Sequence, residues 1–255
     1  MKRHFYVFLT AMQFFTRLPI PQWVGFEAAW LREAARFFPL IGVLVGVVTA
    51  SVLLVAAHVL PLLIAVLLST MAGIFLTGAL HEDGFADVCD GFGGGNTREK
   101  IIEIMRDSRV GAYGAIGIGL LLALKIAALA SMPLTCAAWA LLLAHPLSRL
   151  ASAAVIWRMD YATSDGKASL AGHTMTLPVL LGAGTPVLLL LVVMIASDAL
   201  PARSIAVASM VMAVTTVWLG RKFQRHLGGY TGDCLGAVQQ CSEALCYLSL
   251  LAVGT

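Results

Sequence analysis

Residues 37–57 read FFPLIGVLVGVVTASVLLVAA, a run of 21 residues without a charged side chain. An α-helix rises about 1.5 Å per residue, so this run is long enough to cross the roughly 30 Å hydrocarbon core of a bilayer. Six further segments are also mostly apolar, which predicts about seven membrane-spanning helices. The seven candidates are Phe37–Ala57, Leu60–Leu80, Val110–Met132, Leu134–Trp157, Leu177–Ser197, Ser204–Gly220 and Leu235–Gly254.

The composition excludes an ordinary soluble domain. Of the 255 residues, 59% are hydrophobic and 12% are charged, whereas soluble domains carry roughly 25% charged residues. The five cysteines form no CxxC pair, so no disulfide framework is expected, and a net charge of +3 gives no reason to expect nucleic acid binding. The predicted fold is therefore all-α, a polytopic membrane helix bundle in a single domain over residues 1–255. Within it, an interfacial helix at Phe5–Phe15 precedes the spanning helices.

The basic residues predict which ends of the helices face the cytoplasm. Fourteen of the 17 Lys and Arg residues fall in the segments 1–36, 81–109, 158–176 and 221–234. The short turns between the other span ends hold a single one, Arg203. Because cytoplasmic loops of membrane proteins are enriched in Lys and Arg, these four segments are predicted to lie on the cytoplasmic side of the membrane.

Acidic side chains are concentrated directly after the second candidate span, where residues 81–91 read HEDGFADVCDG. If the helix continues, Asp83, Asp87 and Asp90 lie on one face of it, because they are four and seven residues apart. Like charges at this spacing repel each other, and a divalent cation relieves the repulsion; oxygen ligands suit Mg²⁺ or Mn²⁺. The alternative is a solvated loop whose carboxylates pair with its own four basic residues.

Three further groups of residues could bind a ligand. The Arg-Asp-Ser-Arg sequence at 106–109 offers guanidinium groups for phosphate, or else anchors the third span. The glycine-rich turn at 228–232 offers backbone N–H groups to an anion beside Asp233, which could complete a metal site; a turn with a capping Asp is the alternative. Within the fourth span, His145 and Arg149 share a face and could hold an anionic or amide-rich ligand, although Arg149 could instead extend to the interface.

Taken together, these motifs resemble the adenosylcobinamide-GDP ribazoletransferase family, also called the cobalamin synthases. The resemblance covers nearly the whole chain, with several motifs in the same order and at consistent separations. The first acidic motif of the family usually reads His-Leu-Asp-Gly-Leu-Ala-Asp, and Glu82 and Phe85 replace its leucines here. The motifs that carry the resemblance are Thr16–Pro19, Phe38–Gly42, His81–Gly91, Ile104–Gly111, Ser148–Arg149 and Gly228–Ala237.

The resemblance implies an enzyme of the last assembly step of cobalamin (vitamin B12) biosynthesis. In that step α-ribazole, or α-ribazole 5′-phosphate, joins adenosylcobinamide-GDP, GMP leaves, and adenosylcobalamin or its 5′-phosphate forms. It further implies a Mg²⁺-dependent phosphotransferase embedded in the inner membrane, with these small molecules and the lipid bilayer as partners. A homo-oligomer is compatible with the sequence.

The predicted site on this hypothesis has three kinds of residue. Asp90 or Asp87 takes the proton of the attacking hydroxyl, with His81 as an alternative base. Mg²⁺ is held by a group of carboxylates, Glu82, Asp83, Asp87, Asp90 and Asp233. The predicted substrate-binding residues are Lys100, Arg106, Ser108, Arg109, Arg149, Gly229 and Thr231.

Two other functions compete with this hypothesis. The acidic motif is also similar to that of CDP-alcohol phosphotransferases, which make phospholipids, but those enzymes usually have an arginine where this chain has Asp87. A transporter or cation channel is the third possibility. It is disfavoured because transporter acids tend to lie near the bilayer midplane, whereas these are gathered at one face.

Overall fold

The computed structural model describes residues 2–25, 30, 33–162 and 175–254. Within these residues the chain is helical, with short 3₁₀ turns at Gln22–Val24 and Ala35–Phe37 and no strand. The described helices are α1 (Lys2–Phe15), α2 (Phe38–Ala57), α3 (Leu62–Thr77), α4 (Leu80–Gly94), α5 (Arg98–Met105), α6 (Ala112–Ala130), α7 (Leu134–Arg158), α8 (Leu177–Ala183), α9 (Thr185–Ala196), α10 (Ala202–Leu227) and α11 (Gly232–Val253).

The expected all-α bundle of membrane-spanning helices is confirmed, with fewer spans than the seven predicted. Among the described residues, five helical segments are long and apolar enough to cross a membrane, and a sixth results if α3 and α4 are taken together as one bent span. The five segments are Ala35–Ala57, Ala112–Ala130, Leu134–Arg158, Leu177–Ala196 and Ala202–Leu227.

The last candidate span, Leu235–Gly254, forms α11, which is not one of the five. This helix carries Gln239, Gln240, Ser242 and Glu243, all of them buried. It packs most extensively against α4 and α10, and also against α7 and α6. A helix surrounded by protein can carry polar groups that lipid would not accept, because neighbouring helices provide their hydrogen bonds.

The second candidate span is interrupted rather than continuous past Leu80. Gly78 and Ala79 both adopt the left-handed conformation, with φ of 66° and 58°, and α4 leaves α3 at 89°. The end of α1 stabilises this corner, because the backbone N–H of Arg17 donates to the carbonyl oxygen of Leu76 at 2.7 Å. A side chain at Gly78 would collide with the Arg17 guanidinium. The bend turns α4 out of the direction of α3.

Two segments that the sequence suggested as loops are largely helical. Residues 81–109 form most of α4 and all of α5, and α10 extends seven residues beyond Gly220 to Leu227. The basic side chains of 221–225 therefore lie on the last turns of α10, where cations are favourable near the helix C-terminus. In the segment 158–176, residues 163–174 lie outside the described part.

Candidate active site

The acidic face of α4 and the start of α11 are held together by two glycines. A Cβ atom at Gly84 would lie 2.9 Å from Cα of Asp233, and a Cβ at Gly236 would lie 2.9 Å from the carbonyl oxygen of His81. Both distances are shorter than a real side chain tolerates. Because neither position has a side chain, the two backbones make direct contact and Asp233 comes beside the carboxylates of α4.

Asp83, Asp87 and Asp233 form a carboxylate cluster at this contact. Burial raises the pKa of Asp87 to about 7, and the negative charges of Asp233, Asp83 and Asp90 add to this rise in its pKa. Burial and the charge of Asp83 also raise the pKa of Asp233 to about 6, although the hydrogen bond from Thr231 lowers it. The described residues provide no ion pair to the three clustered carboxylates. Within the described part of the chain, the cluster is thus a group of mutually repelling carboxylates without a protein cation.

The chemistry of this cluster fits a hard divalent cation. Its donors are all oxygens, and their repulsion is the effect that a bound cation relieves. In the described part of the chain, no three His, Cys, Asp or Glu side chains converge closely enough to surround a metal by themselves. Mg²⁺ commonly uses only one or two carboxylates, keeping waters and binding substrate phosphates at its other positions. An open carboxylate cluster therefore suits a Mg²⁺ ion whose remaining coordination positions are filled by water and substrate oxygens.

Two of the five predicted metal ligands make other contacts in this structure. Glu82 accepts a hydrogen bond from Nε2 of Gln240 at 2.8 Å, which directs it into the bundle. Asp90 is buried and accepts backbone N–H bonds from Gly111 at 2.7 Å and Gly114 at 2.8 Å. Asp90 thereby caps the start of α6, where the free N–H groups of the first turn favour a carboxylate. The sequence spacing predicts that Asp90 shares a helix face with Asp83 and Asp87, but it does not predict the hydrogen-bond partners of Glu82 and Asp90.

Replacing Asp90 by asparagine is expected to destabilise the protein, because one of its two amide-binding oxygens becomes an NH₂ group facing an N–H donor. The expected loss is about 1–2 kcal/mol, as for other helix caps. Asp83→Asn is the matched control, because Asp83 is exposed on the same helix and caps no other one. Thermal unfolding in detergent measures both variants. Equal midpoints for the two would show that the Asp90 cap contributes nothing.

The predicted phosphate-binding residues between α5 and α6 are at the surface. Arg106 and Ser108 are exposed, and Arg109 pairs with Asp107 through contacts of 2.6 and 3.0 Å. Lys100 pairs with Glu103 at 2.9 Å. Exposed ion pairs contribute little to stability, so both cations can exchange these partners for a substrate phosphate at small cost.

The glycine-rich turn after α10 has a structural explanation. A side chain at Gly229 would collide with the carbonyl oxygen of Asp160, and the N–H of Tyr230 donates to that oxygen at 3.0 Å. Thr231 is the N-cap of α11, accepting the N–H of Cys234 at 3.3 Å. The turn therefore docks onto the segment after α7 and begins the helix that carries Asp233. The turn is capped, but by Thr231 rather than by the aspartate of the alternative interpretation, and anion binding by its backbone stays a prediction.

A buried network around Glu243 was not predicted. Its carboxylate lies 2.7 Å from Nζ of Lys125, 2.9 Å from Nδ1 of His145 and 3.5 Å from the Arg149 guanidinium, and Nε2 of Gln239 donates to it at 2.8 Å. All five side chains are less than a tenth exposed. Glu243 is the only acidic residue in the seven candidate spans. Pairing it with the intramembrane cations would have revealed the network from the sequence.

A cavity of about 160 Å³ lies beside the carboxylate cluster. Its lining includes Asp83, Asp233, His81 and Arg149. Burial, followed by the charge of Arg149, keeps the pKa of His81 well below its usual range, so the imidazole is neutral. His81 lines the same cavity as Asp83 and Asp233, and its role as an alternative base stays a prediction.

Comparisons with known proteins cover almost the entire chain. The family model for cobalamin-5-phosphate synthase matches residues 7–251. An adenosylcobinamide-GDP ribazoletransferase of Shewanella frigidimarina is 42% identical over 99% of this chain and 96% of its own length. Its counterpart in Shewanella baltica (strain OS155) is 41% identical over 97% and 94%. No solved structure gives a significant match. The chain belongs to the cobalamin-5-phosphate synthase family.

Proposed function

We propose that this protein joins α-ribazole, or α-ribazole 5′-phosphate, to adenosylcobinamide-GDP and releases GMP. The product is adenosylcobalamin or its 5′-phosphate. The observation that carries the proposal is the backbone contact between Gly84 of α4 and Asp233 of α11, which brings Asp233 beside Asp83 and Asp87. The two helices carry separate motifs of a family in which a relative is named adenosylcobinamide-GDP ribazoletransferase. A carboxylate cluster of this kind suits the cleavage of a diphosphate.

The reaction exchanges one phosphorus–oxygen bond for another. The 3′-hydroxyl oxygen of α-ribazole bonds to the phosphorus next to cobinamide, and the bond from that phosphorus to the GMP oxygen breaks, so GMP leaves with the electron pair. We assign Asp83 and Asp233 to hold Mg²⁺, which when bound neutralises charge on the diphosphate. We assign Asp87 to accept the hydroxyl proton, because it is a half-buried carboxylate one helical turn after Asp83 on the same face of α4. Asp90, whose oxygens are engaged by α6, is less suited to this role.

The surface cations complete the proposed site. Arg106 and Arg109 would bind phosphate oxygens through their planar guanidinium groups, and Lys100 would add a point charge. Ser108 lies between the two arginines and offers a hydroxyl. The distribution of Lys and Arg along the chain supports a site on the cytoplasmic side of the inner membrane. Synthesis of phospholipid from CDP-alcohols is not favoured. The relatives that match this chain over nearly their whole length are named as the corrinoid enzyme, adenosylcobinamide-GDP ribazoletransferase.

The direct test supplies the purified protein in lipid nanodiscs with adenosylcobinamide-GDP, α-ribazole 5′-phosphate and Mg²⁺. Mass spectrometry should detect adenosylcobalamin 5′-phosphate and GMP in equal amounts. A chelator should abolish both, and excess Mg²⁺ should restore them. A control reaction replaces the corrinoid with CDP-diacylglycerol and an alcohol. Phospholipid formation without the corrinoid product would overturn the proposal, and turnover unaffected by the chelator would overturn the metal assignment.

A further inference from the structure

The cavity beside the carboxylate cluster has a largely apolar, aromatic lining. Phe14 and Phe15 at the end of α1 and Phe38 at the start of α2 contribute to it, together with Ile156 of α7. Phe14 is 41% exposed, so the cavity is accessible from the surface at this side. An opening lined by phenylalanine rings suits a flat, apolar ring system.

The same cavity is lined by four residues that carry buried polar atoms without hydrogen-bond partners among the described residues. The atoms are Nε2 of His81, Nε of Arg149, the Tyr230 hydroxyl and Oε1 of Gln239. All four side chains are more than nine-tenths buried. Buried polar groups are nearly always hydrogen-bonded, so unpaired atoms around one cavity indicate that something polar binds there.

Of the two nucleotide bases in the proposed reaction, that of α-ribazole fits better. Dimethylbenzimidazole is flat and apolar, and its only hydrogen-bonding atom is the ring nitrogen that is not bonded to ribose. The Nε–H of Arg149 is an unpaired donor suited to that nitrogen. Guanine instead has several donors and acceptors along its edge, which the part of the lining formed by Phe14, Phe15 and Phe38 would leave unpaired. The ribose hydroxyls of α-ribazole provide polar groups for the other unpaired atoms of the cavity.

The size and position of the cavity agree with this choice. An apolar cavity of about 150 Å³ accepts a benzene ring, and this one measures about 160 Å³ with an accessible side for a second ring. Asp83 and Asp233 line the same cavity. A base bound against the phenylalanines would therefore carry its ribose hydroxyl toward the carboxylates.

We propose that this cavity is the binding subsite for the benzimidazole base of α-ribazole. The inference rests on the proposed function, and it adds the position at which α-ribazole, the attacking substrate, binds. It assigns Phe14 and Phe38 to the ring faces and Arg149 to the ring nitrogen.

The first experiment measures the KM of each substrate separately in the Phe14→Ala variant. The KM for α-ribazole 5′-phosphate should rise about tenfold, because the variant removes a ring contact, while the KM for adenosylcobinamide-GDP should stay within about twofold. Phe5→Ala is the matched control, because Phe5 is an exposed phenylalanine of the same helix outside the cavity. A rise in the KM for adenosylcobinamide-GDP alone would overturn the inference, since the cavity would then hold guanine or the corrinoid.

The second experiment adds volume with Ile156→Phe and compares ribosides of benzimidazole with and without the two methyl groups. The kcat/KM for the dimethylated substrate should fall by at least about tenfold relative to the unmethylated one. Turnover of the smaller substrate shows that the variant is folded. Equal losses for both substrates would overturn the inference.

Binding without turnover separates the two proposals. Saturation-transfer NMR should detect α-ribazole on the wild-type protein in nanodiscs without Mg²⁺, and the signal should weaken in Phe14→Ala but not in Phe5→Ala. If the wild type forms no corrinoid product yet shows this pattern, the proposed function fails and the subsite stands. Wild-type product formation with equal α-ribazole signals in both variants would overturn the subsite alone.

Discussion

Asparagine in place of Asp83 is expected to lower the rate of GMP release by at least about 100-fold, a loss typical when one charge-stabilising group of an active site is removed. Asp83 is exposed and contributes charge to the cluster with Asp87 and Asp233. The substitution keeps the size of the side chain and removes the negative charge that would hold Mg²⁺. Thermal stability should not fall, because the charge of Asp83 only repels its neighbours.

Mass detection of GMP from variant protein in nanodiscs measures this effect. Asp198→Asn is the matched control, since Asp198 is an exposed aspartate of the turn between α9 and α10, and asparagine accepts its φ of 49°. The control should retain its turnover. Near-normal rates in Asp83→Asn, Asp87→Asn and Asp233→Asn would disprove the assignment of the cluster to the diphosphate.

Lys125→Met is expected to cause the largest loss of stability. The substitution removes a cation 2.7 Å from the buried carboxylate of Glu243 and also a donor 2.9 Å from Oε1 of Gln240. Breaking a buried ion pair by removing one partner costs about 3–5 kcal/mol, because the other charge stays buried. In a chain of this length that corresponds to a fall of roughly 10 °C in the thermal midpoint.

Circular dichroism during heating in detergent measures this fall. The double variant Lys125→Met, Glu243→Gln is expected to recover little of the lost stability, because it leaves the buried Arg149 guanidinium without the carboxylate that lies 3.5 Å from it. Arg203→Met is the control for losing a basic residue, since Arg203 is exposed at the start of α10. A double variant as stable as the wild type would contradict this account, because it would show that Glu243 stabilises the bundle only through Lys125.

The network around Glu243 also connects the membrane-embedded part of the protein to the site. Gln240 accepts from Lys125 and donates to Glu82 at 2.8 Å, and Glu82 lies next to Asp83 on α4. This chain of hydrogen bonds fixes the start of α4 against α11. The sequence suggested Glu82 as a metal ligand. In this structure its hydrogen bond to Gln240 instead fixes α4, the helix that carries Asp83 and Asp87.

The sequence was informative where the signal is local. Charge-free runs such as 37–57 identify spanning helices, because the bilayer imposes the same length and apolarity on each. The spacing of Asp83 and Asp87 places them on one helix face by geometry alone. The motifs shared with the family located both parts of the carboxylate cluster, and the sequence also suggested that Asp233 could join it.

Only the tertiary structure decided what these groups contact. Asp90 has the same helical spacing as its neighbours, yet it caps α6, because the first turn of that helix packs against it. The bend at Gly78 and Ala79 depends on Arg17, more than fifty residues earlier in the chain. The partners of Glu243 and the walls of the aromatic cavity come from helices far apart in sequence. Composition and periodicity describe one segment at a time, whereas burial, pairing and cavities arise between segments.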